Sequence, residues 1–306
     1  MNLVKPSVGL IGLGLMGRGL GRNLLKHDYP LVVHDIAPAA VDNLVSQGAA
    51  AAGSARAVAE RADVVITVLP NGPDVEAALL GPEGALKGAR PGTLLVDCST
   101  IDPAVTLRLG STVRAAGCRF VDAAMGRSAG DAQNGTLMFM VGATPEDFAA
   151  VRPVLAAMGT DIIHCGGPGA GISAKVINNL LASSIFQSTV EALVIAAKAG
   201  LSVDMMVDLL SKTAANNFHL KNSIQKVLAR DYEPGFKAWL AHKDMGLAES
   251  LAARVGAPLF SLASARQLLS LTLAQGHGER ASLIVAEVIQ DAARVRLAHD
   301  EEAKAQ

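Results

Sequence analysis

Ser7-Val-Gly-Leu-Ile-Gly-Leu-Gly-Leu-Met-Gly17, running on into Arg18 to Lys26, decides how the first half of the chain is read. The opening residues form a short apolar run suited to a buried strand, and residues 18–26 read as a helix. Between them stands Gly12-Leu13-Gly14-Leu15-Met16-Gly17. Strand, Gly-x-Gly-x-x-Gly, helix is the context that a dinucleotide phosphate loop requires. Gly12 permits the tight turn, Gly14 lets the backbone approach a pyrophosphate, and Gly17 lets the helix pack on the strand, with Leu13 and Met16 bordering the same ligand. The unpaired N–H groups and the dipole at the helix N-terminus favour the phosphates.

The next strand strengthens the reading. Leu31-Val-Val-His-Asp35 ends in an acid about twenty residues past the loop, where a carboxylate accepts ribose hydroxyls and repels the 2′-phosphate of NADP. Asp35 therefore points to NAD, the bland alternative being an acid that caps the strand-end turn. Residues 41–47 and 55–62 look helical, and Asp63-Val-Val-Ile-Thr-Val-Leu69 is a β-branched run of the kind that parallel strands buried on both faces carry. Pro70-Asn-Gly-Pro ends it, residues 75–80 make a short helix, and Thr93-Leu-Leu-Val-Asp97 is another strand stopping at Cys98-Ser99-Thr100. Ligands of open α/β sheets bind beyond the carboxyl ends of the strands, which puts Leu69, Pro70, Ser99 and Thr100 near the nicotinamide end. Ordinary turn chemistry accounts for each of these four taken singly.

Arg119-Phe-Val-Asp-Ala and Thr136-Leu-Met-Phe-Met-Val-Gly142 read as two further strands joined by a small-residue loop, Ala124-Met-Gly126-Arg127-Ser128-Ala-Gly130. Residues 145–158 supply a helix, Asp161-Ile-Ile-His-Cys165 a last strand, and Gly166-Gly-Pro-Gly169 a domain boundary. The expected architecture is α/β: a Rossmann-type doubly wound sheet over residues 1–168, joined by a long helix to an all-helical domain over 169–306.

That long helix runs from Gly169 to about Gly200 without a proline. Its apolar residues go round most of the cylinder, which predicts burial on nearly all sides. Lys175, Asn178 and Asn179, at i, i+3 and i+4, share one face near its N-terminal end. A functional cleft would explain all three; so would a lysine that snorkels to water beside two satisfied core asparagines. Helical segments follow near 203–211, 220–228, 238–254, 258–275 and 282–298, and Asp300-Glu-Glu-Ala-Lys is expected to be a solvated end.

Bulk properties bound the rest. Of 306 residues 50% are hydrophobic and 18% charged, enough for a large core in two medium domains or one large one, and a net charge of −1 argues against a general nucleic-acid binder. Cys98, Cys118 and Cys165 are widely spaced, as in reduced thiols of a cytoplasmic protein, and no His-Glu-x-x-His or Cys-x-x-Cys pattern suggests a metal site. Residues 8–16 could pass for a signal-peptide core, but three glycines break the run, so a nucleotide loop is preferred. The Gly169–Gly200 stretch has membrane-spanning length, and its Lys, Asn, Gln and Glu residues argue against that role.

With these pieces in order, the chain resembles the β-hydroxyacid dehydrogenase family over nearly its whole length. The motifs are Gly12–Gly17 with Asn23 at its usual distance, Asp122-Ala123 with Gly135-Thr136-Leu137, Gly171 through Asn179, and Lys243-Asp244. The resemblance implies that Lys175 is the catalytic lysine, that Asn178 and Asn179 orient substrate, and that Lys243 lies beside the nicotinamide. Thr100 and Leu69 match cofactor-contacting positions, and Ser99, Gly126, Arg127 and Ser128 are expected to meet the substrate. It also implies a homodimer or homotetramer acting on a small anionic substrate with NADH. The commonest substrate loop in that family reads Asp-Ala-Pro-Val-Ser-Gly-Gly; here Gly126 replaces its serine and Arg127 the following glycine. The Gly126-Arg127-Ser128 form looks like the branch that contains sulfolactaldehyde reductase. An arginine suits a sulfonate or a carboxylate equally, and a solvated loop residue or a cofactor-phosphate contact are its other readings. Ala182 stands where that branch is expected to carry a serine, which counts against the sulfonate.

Overall fold

The computed structural model describes residues 5–260 and 262–299. In chain order the first part contains β1 (Val8–Ile11), α1 (Leu15–Lys26), β2 (Leu31–His34), α2 (Pro38–Val45), β3 (Ala50–Ala51), α3 (Ala55–Ala59), β4 (Val64–Thr67) and α4 (Gly72–Leu80). It continues through β5 (Leu94–Asp97), α5 (Pro103–Ala115), β6 (Arg119–Gly126), α6 (Ala129–Asn134), β7 (Leu137–Gly142), α7 (Pro145–Ala156) and β8 (Gly159–Gly166). The strands form one sheet in the order β3-β2-β1-β4-β5-β6-β7-β8. Every neighbouring pair from β3 to β6 is parallel, β7 runs antiparallel to β6, and β8 is parallel to β7. Strand order reverses at β1, so the carboxyl ends of β1 and β4 flank the switch point where such sheets bind ligands.

The β-branched runs make these strands because both faces are covered. Side chains alternate across a strand. Val64 and Ile66 of β4, with Leu94 and Val96 of β5, join Leu10, Leu20, Leu24 and Phe139 in one core layer. Val65 and Leu95 point the other way, to Val58, Leu79, Leu109, Val113 and Phe120. Two buried layers sandwiching one sheet are the doubly wound architecture expected from the sequence, a Rossmann-type unit.

Three details differ from expectation. β6 extends to Gly126, because Ala124, Met125 and Gly126 pair with Met140, Phe139 and Met138 of β7. The expected loop at 124–130 therefore shrinks to Arg127 and Ser128 ahead of α6. The connection through α6 is a single short helix of 6 residues, too short for a parallel crossover, which explains why β7 returns antiparallel. Finally, α5 and the two-residue β3 were not anticipated: Pro103 occupies the first turn of α5, and Gly110, midway along it, has no room for a side chain beside Phe120.

The helical part comprises α8 (Ala170–Lys198), α9 (Val203–Ser211), α10 (Phe218–Asn222), α11 (Ile224–Leu228), α12 (Ala238–Val255), α13 (Ala263–Ala274) and α14 (Val285–Ala293). The expected segment at 220–228 is broken into α10 and α11 at Ser223, and the expected 282–298 helix is a short 3₁₀ turn followed by α14. The solvated end expected at Asp300–Lys304 lies outside the described residues. The chain divides into two compact units between Val176 and Ile177, within α8, eight residues beyond the glycine-rich boundary at 168/169. Helix α8 was expected to be buried on nearly all sides; Ile177, Leu181 and Ile195, on one side of the cylinder, are exposed.

Candidate active site

Gly12 sits at the end of β1 with φ +92, a backbone state that glycine adopts without strain, and a β-carbon there would strike the Val68 carbonyl oxygen. A β-carbon on Gly17 would strike the carbonyl of Gly12 itself, so the start of α1 packs directly on the turn. At Gly14, by contrast, a β-carbon would meet nothing within 4 Å. Gly14 is the N-cap of α1, no side chain caps the helix there, and its first turn carries no acid. Open space over an uncapped helix N-terminus fits a pyrophosphate.

Asp35, just past β2, accepts from the Leu13 N–H at 2.6 Å and the Ala37 N–H at 2.8 Å. The carboxylate is thus held against the glycine turn, where a ribose would lie. Leu13 is buried, Met16 half-buried, and Ile36 beside Asp35 fully open. These residues fit a nicotinamide dinucleotide at its adenosine and phosphate portions.

Leu69 follows β4, and its N–H donates to the Ser99 hydroxyl at 2.9 Å. Ser99 is 5% exposed. Its own N–H donates to Oδ1 of Asp97 at 3.0 Å, which also accepts from the Thr67 hydroxyl at 2.8 Å. Burial pushes the Asp97 carboxyl up to about 6 and the nearby Asp122 charge adds to that, opposed by the hydrogen bonds from Ser99 and Thr67. Pro70 is exposed and Thr100 half-buried. Asp97 was not singled out from the sequence, although an acid closing a fully apolar strand was a visible signal.

Asp122 lies opposite Asp97 on β6. Its carboxylate accepts from the N–H groups of Gly169 at 2.6 Å and Ile172 at 2.9 Å, with Gly171 contributing a further bond. It therefore caps α8 from 47 residues away. Burial nevertheless holds this carboxyl above the usual carboxylate range. A β-carbon on Gly171 would sit 2.7 Å from the Gly142 nitrogen and 2.9 Å from Asp122 Oδ2, and closer still to the Met140 carbonyl oxygen. The glycine that opens the Gly-x-x-x-Lys motif is thus what seats the helix against β6 and β7. Lys175 follows one turn later and is half-buried.

Along α8, Asn178 donates to Asn179 Oδ1 at 3.1 Å, and Asn179, buried, donates to Asp244 Oδ2 at 2.7 Å. Lys243 pairs with Asp244 Oδ1 at 3.2 Å. Asp244, on α12 and almost fully buried, was read only as half of a Lys-Asp motif; it anchors both Asn179 and Lys243. Asn178 is exposed, and its orientation follows from this chain of bonds.

The substrate-loop residues are placed differently. Gly126 ends β6 with Met138 and Met140 about it. Ser128 caps α6 in a capping box with Asp131, so its hydroxyl and N–H serve the helix start. Arg127 has φ +74, the left-handed state the family's glycine would adopt freely. Its guanidinium donates to the Thr136 carbonyl, to Thr160 Oγ1 at 2.8 Å and to Asp161. The arginine is exposed but already faces a carboxylate that no sequence pattern revealed. Among the described residues no group of three or more His, Cys, Asp or Glu could hold a metal.

Residues 7–167 match the model of the NAD-binding domain of 6-phosphogluconate dehydrogenase, and residues 169–289 match the NAD-binding domain of NADP-dependent 3-hydroxyisobutyrate dehydrogenase. The chain belongs to the β-hydroxyacid dehydrogenase family. It is 35% identical to human mitochondrial 3-hydroxyisobutyrate dehydrogenase across 90% of this chain and 84% of that one. It is 37% identical to the 3-sulfolactaldehyde reductase of Escherichia coli K12, across 90% and 92%. A solved structure of Mycobacterium tuberculosis 3-hydroxyisobutyrate dehydrogenase with L-serine superposes with a TM-score of 0.86 at 31% identity, covering 94% of this chain and 99% of that one. As a β-hydroxyacid dehydrogenase the chain is an oxidoreductase of CH–OH groups that uses a nicotinamide cofactor.

Proposed function

We propose that this enzyme interconverts a small anionic hydroxyacid and its semialdehyde with NAD(H) in the cytoplasm, 3-sulfolactaldehyde being the leading substrate. The observation that carries the reading is Lys175 on α8, one turn past a helix start pinned by Asp122, followed by Asn178 and Asn179 at i+3 and i+4. The nicotinamide, when bound, supplies or accepts the hydride. Lys175 as an ammonium delivers the proton to the carbonyl oxygen during reduction, and as an amine removes it during oxidation. Asn178, oriented through Asn179 and Asp244, has a second amide proton for the substrate oxygen, where it stabilises developing negative charge. Asp35 in its place by the glycine turn supports NAD over NADP.

The sulfonate assignment draws on the Gly126-Arg127-Ser128 loop and the 37% identity to a 3-sulfolactaldehyde reductase. An exposed ion pair contributes at most about 1 kcal/mol, so a substrate anion can draw Arg127 from Asp161 at small cost. A carboxylate substrate is the second reading, favoured by that existing pair and by Ala182 in place of a serine. Steady-state kcat/KM for 3-sulfolactaldehyde beside 3-hydroxyisobutyrate, tartronate semialdehyde and succinic semialdehyde decides between them. A carboxylate substrate preferred tenfold or more overturns the sulfonate. Lys175→Ala is expected to abolish turnover while leaving NADH affinity intact; near-full turnover would overturn the catalytic assignment. The open stripe of Ile177, Leu181 and Ile195 supports a homodimer or homotetramer, which sedimentation equilibrium would test.

A further inference from the structure

Asn23 lies in the second half of α1 and is 3% exposed. Its amide donates to the Gly19 carbonyl of its own helix at 2.9 Å and to the Ala132 carbonyl of α6 at 2.8 Å, with the Gln133 carbonyl at 3.3 Å. The two α6 carbonyls stand at the end of that helix, where the last four have no partner within the helix. With 6 residues α6 is too short to be stable by itself. Ser128 and Asp131 cap its start, the Asp131 carbonyl accepts from Gly135 and Thr136, and Asn23 caps the rest from 109 residues away. Helices α1 and α6 also touch through backbone, since a β-carbon on Gly19 would stand 2.6 Å from the Ala132 carbonyl oxygen. Gln133 adds an outer tie, donating to the Leu15 carbonyl at 3.2 Å and accepting from Arg22 at 2.9 Å.

Both ends of α6 bear on Arg127. The arginine immediately precedes the Ser128 cap, and its guanidinium donates to the carbonyl of Thr136, just past the helix. Thr136 is tied back in turn, its N–H donating to the Asp131 carbonyl at 3.0 Å and its hydroxyl to Asp131 Oδ1 at 2.9 Å. We propose that Asn23 is a positioning residue for the substrate anion, acting through α6 on the backbone and guanidinium of Arg127. The proposal rests on the reading that Arg127 meets the substrate. On that reading α1 serves the dinucleotide with its N-terminus and the substrate loop with Asn23, about 13 Å further along the helix. Loss of the Asn23 amide leaves the Ala132 and Gln133 carbonyls without that partner and frees α6 to shift on α1, and Arg127 shifts with it.

The test is a double-mutant cycle on the full chain: wild type, Asn23→Ala, Arg127→Gly and the double variant. Each is measured for kcat and KM with whichever of 3-sulfolactaldehyde and 3-hydroxyisobutyrate wild type turns over better, for NADH affinity by fluorescence titration, and for Tm. Asn23→Ala is expected to raise KM for the anion about five- to tenfold, the effect of one lost hydrogen bond, with the NADH dissociation constant held within about twofold of wild type. In the Arg127→Gly background the same substitution should change kcat/KM by less than about twofold, because the residue it acts through is gone. A merely structural role lowers kcat/KM by the same factor in both backgrounds, and that result would overturn the proposal. Wild-type kcat/KM in Arg127→Gly would instead overturn the reading of Arg127 itself, and the role of Asn23 with it. Should Asn23→Ala fail to fold, Gln133→Ala, whose bonds lie at the surface, takes its place in the cycle. It should raise KM about threefold in wild type and leave Arg127→Gly unchanged; equal effects in both backgrounds, or none in either, would refute the proposal.

Discussion

Replacing Gly171 by alanine tests whether the seat of α8 governs turnover. The added β-carbon would lie 2.7 Å from the Gly142 nitrogen, and opening that to the 3.4 Å of ordinary contact takes about 0.7 Å. The Met140 carbonyl oxygen is nearer still, so the displacement is of the order of 1 Å. Both obstacles are backbone atoms of β7, which is paired on one side to β6 and on the other to β8. The strand cannot yield, and the helix must. Its shift also lengthens the bonds from Gly169 and Ile172 to Asp122. Lys175 travels with the helix, and a misplacement of about 1 Å at a reacting centre costs on the order of 100-fold in rate. Overpacking of this kind costs roughly 1–3 kcal/mol in stability, a fall in Tm of several degrees. The assay is kcat at saturating substrate, with NADH affinity and Tm measured beside it; NADH affinity should hold, because the glycine turn and Asp35 follow β1 and β2, away from the seat of α8 on β7. Gly167→Ala is the control, since a β-carbon there meets nothing within 4 Å. A Gly171→Ala enzyme with kcat within twofold of wild type would refute the reasoning.

Other expectations concern charge. Arg127→Gly removes a left-handed arginine that costs about 1–2 kcal/mol together with an exposed ion pair worth about 1 kcal/mol or less. Its Tm should therefore stay within a few degrees of wild type, while kcat/KM for the preferred anion falls at least tenfold. Asp161→Asn frees the same guanidinium and should lower KM for that anion; an unchanged KM would count against an anion contact. Asp35→Ser should raise the NADPH-to-NADH ratio of kcat/KM at least tenfold by removing the carboxylate that repels a 2′-phosphate. Asp97 also bears on stability. Its folded carboxyl, near 6 against an ordinary 3.8, binds its proton more tightly than in the unfolded chain. Its contribution is therefore fully present below about pH 4 and lost as pH rises through about 6, with a ceiling of about 3 kcal/mol. The Tm difference between wild type and Asp97→Asn should therefore shift in favour of the variant as pH rises from 5 to 8. A difference that stays constant across that range would contradict this.

What the sequence disclosed was local and what it withheld was long-range. The glycine turn, the buried parallel strands and α8 are legible because their residues carry their own periodicity or backbone requirement. The end of β6 was not, since Ala124, Met125 and Gly126 become strand only by pairing with β7. The antiparallel return of β7 was in principle readable from the shortness of the link through α6. Lys175, Asn178 and Asn179 stood out as polar residues on an apolar helix, whereas their supports lie far off in sequence. Asp244 bonds Asn179 across 65 residues and Asp122 caps α8 across 47. Arg127 was visible as a charge, but its partner Asp161, 34 residues away, was not. Spacing marks the residues that meet a ligand more readily than those that hold them in place.

Helix α8 has a consequence for the chain before it folds. Its 29 residues have a mean hydropathy of 1.6 in the most apolar stretch, sufficient by length and composition to cross a bilayer, and only half of that stretch is buried in the folded protein. A nascent chain exposing such a segment presents the insertion machinery with a candidate span. A lysine costs up to about 2.5–3.5 kcal/mol on insertion scales at the centre of a span and less toward its ends, where Lys175 lies. Lys175, Asn178, Asn179 and Gln187 together still weigh against insertion of the segment. Variants that replace them with apolar residues to probe catalysis would erode that protection, so loss of enzyme from the soluble fraction must be separated from loss of chemistry.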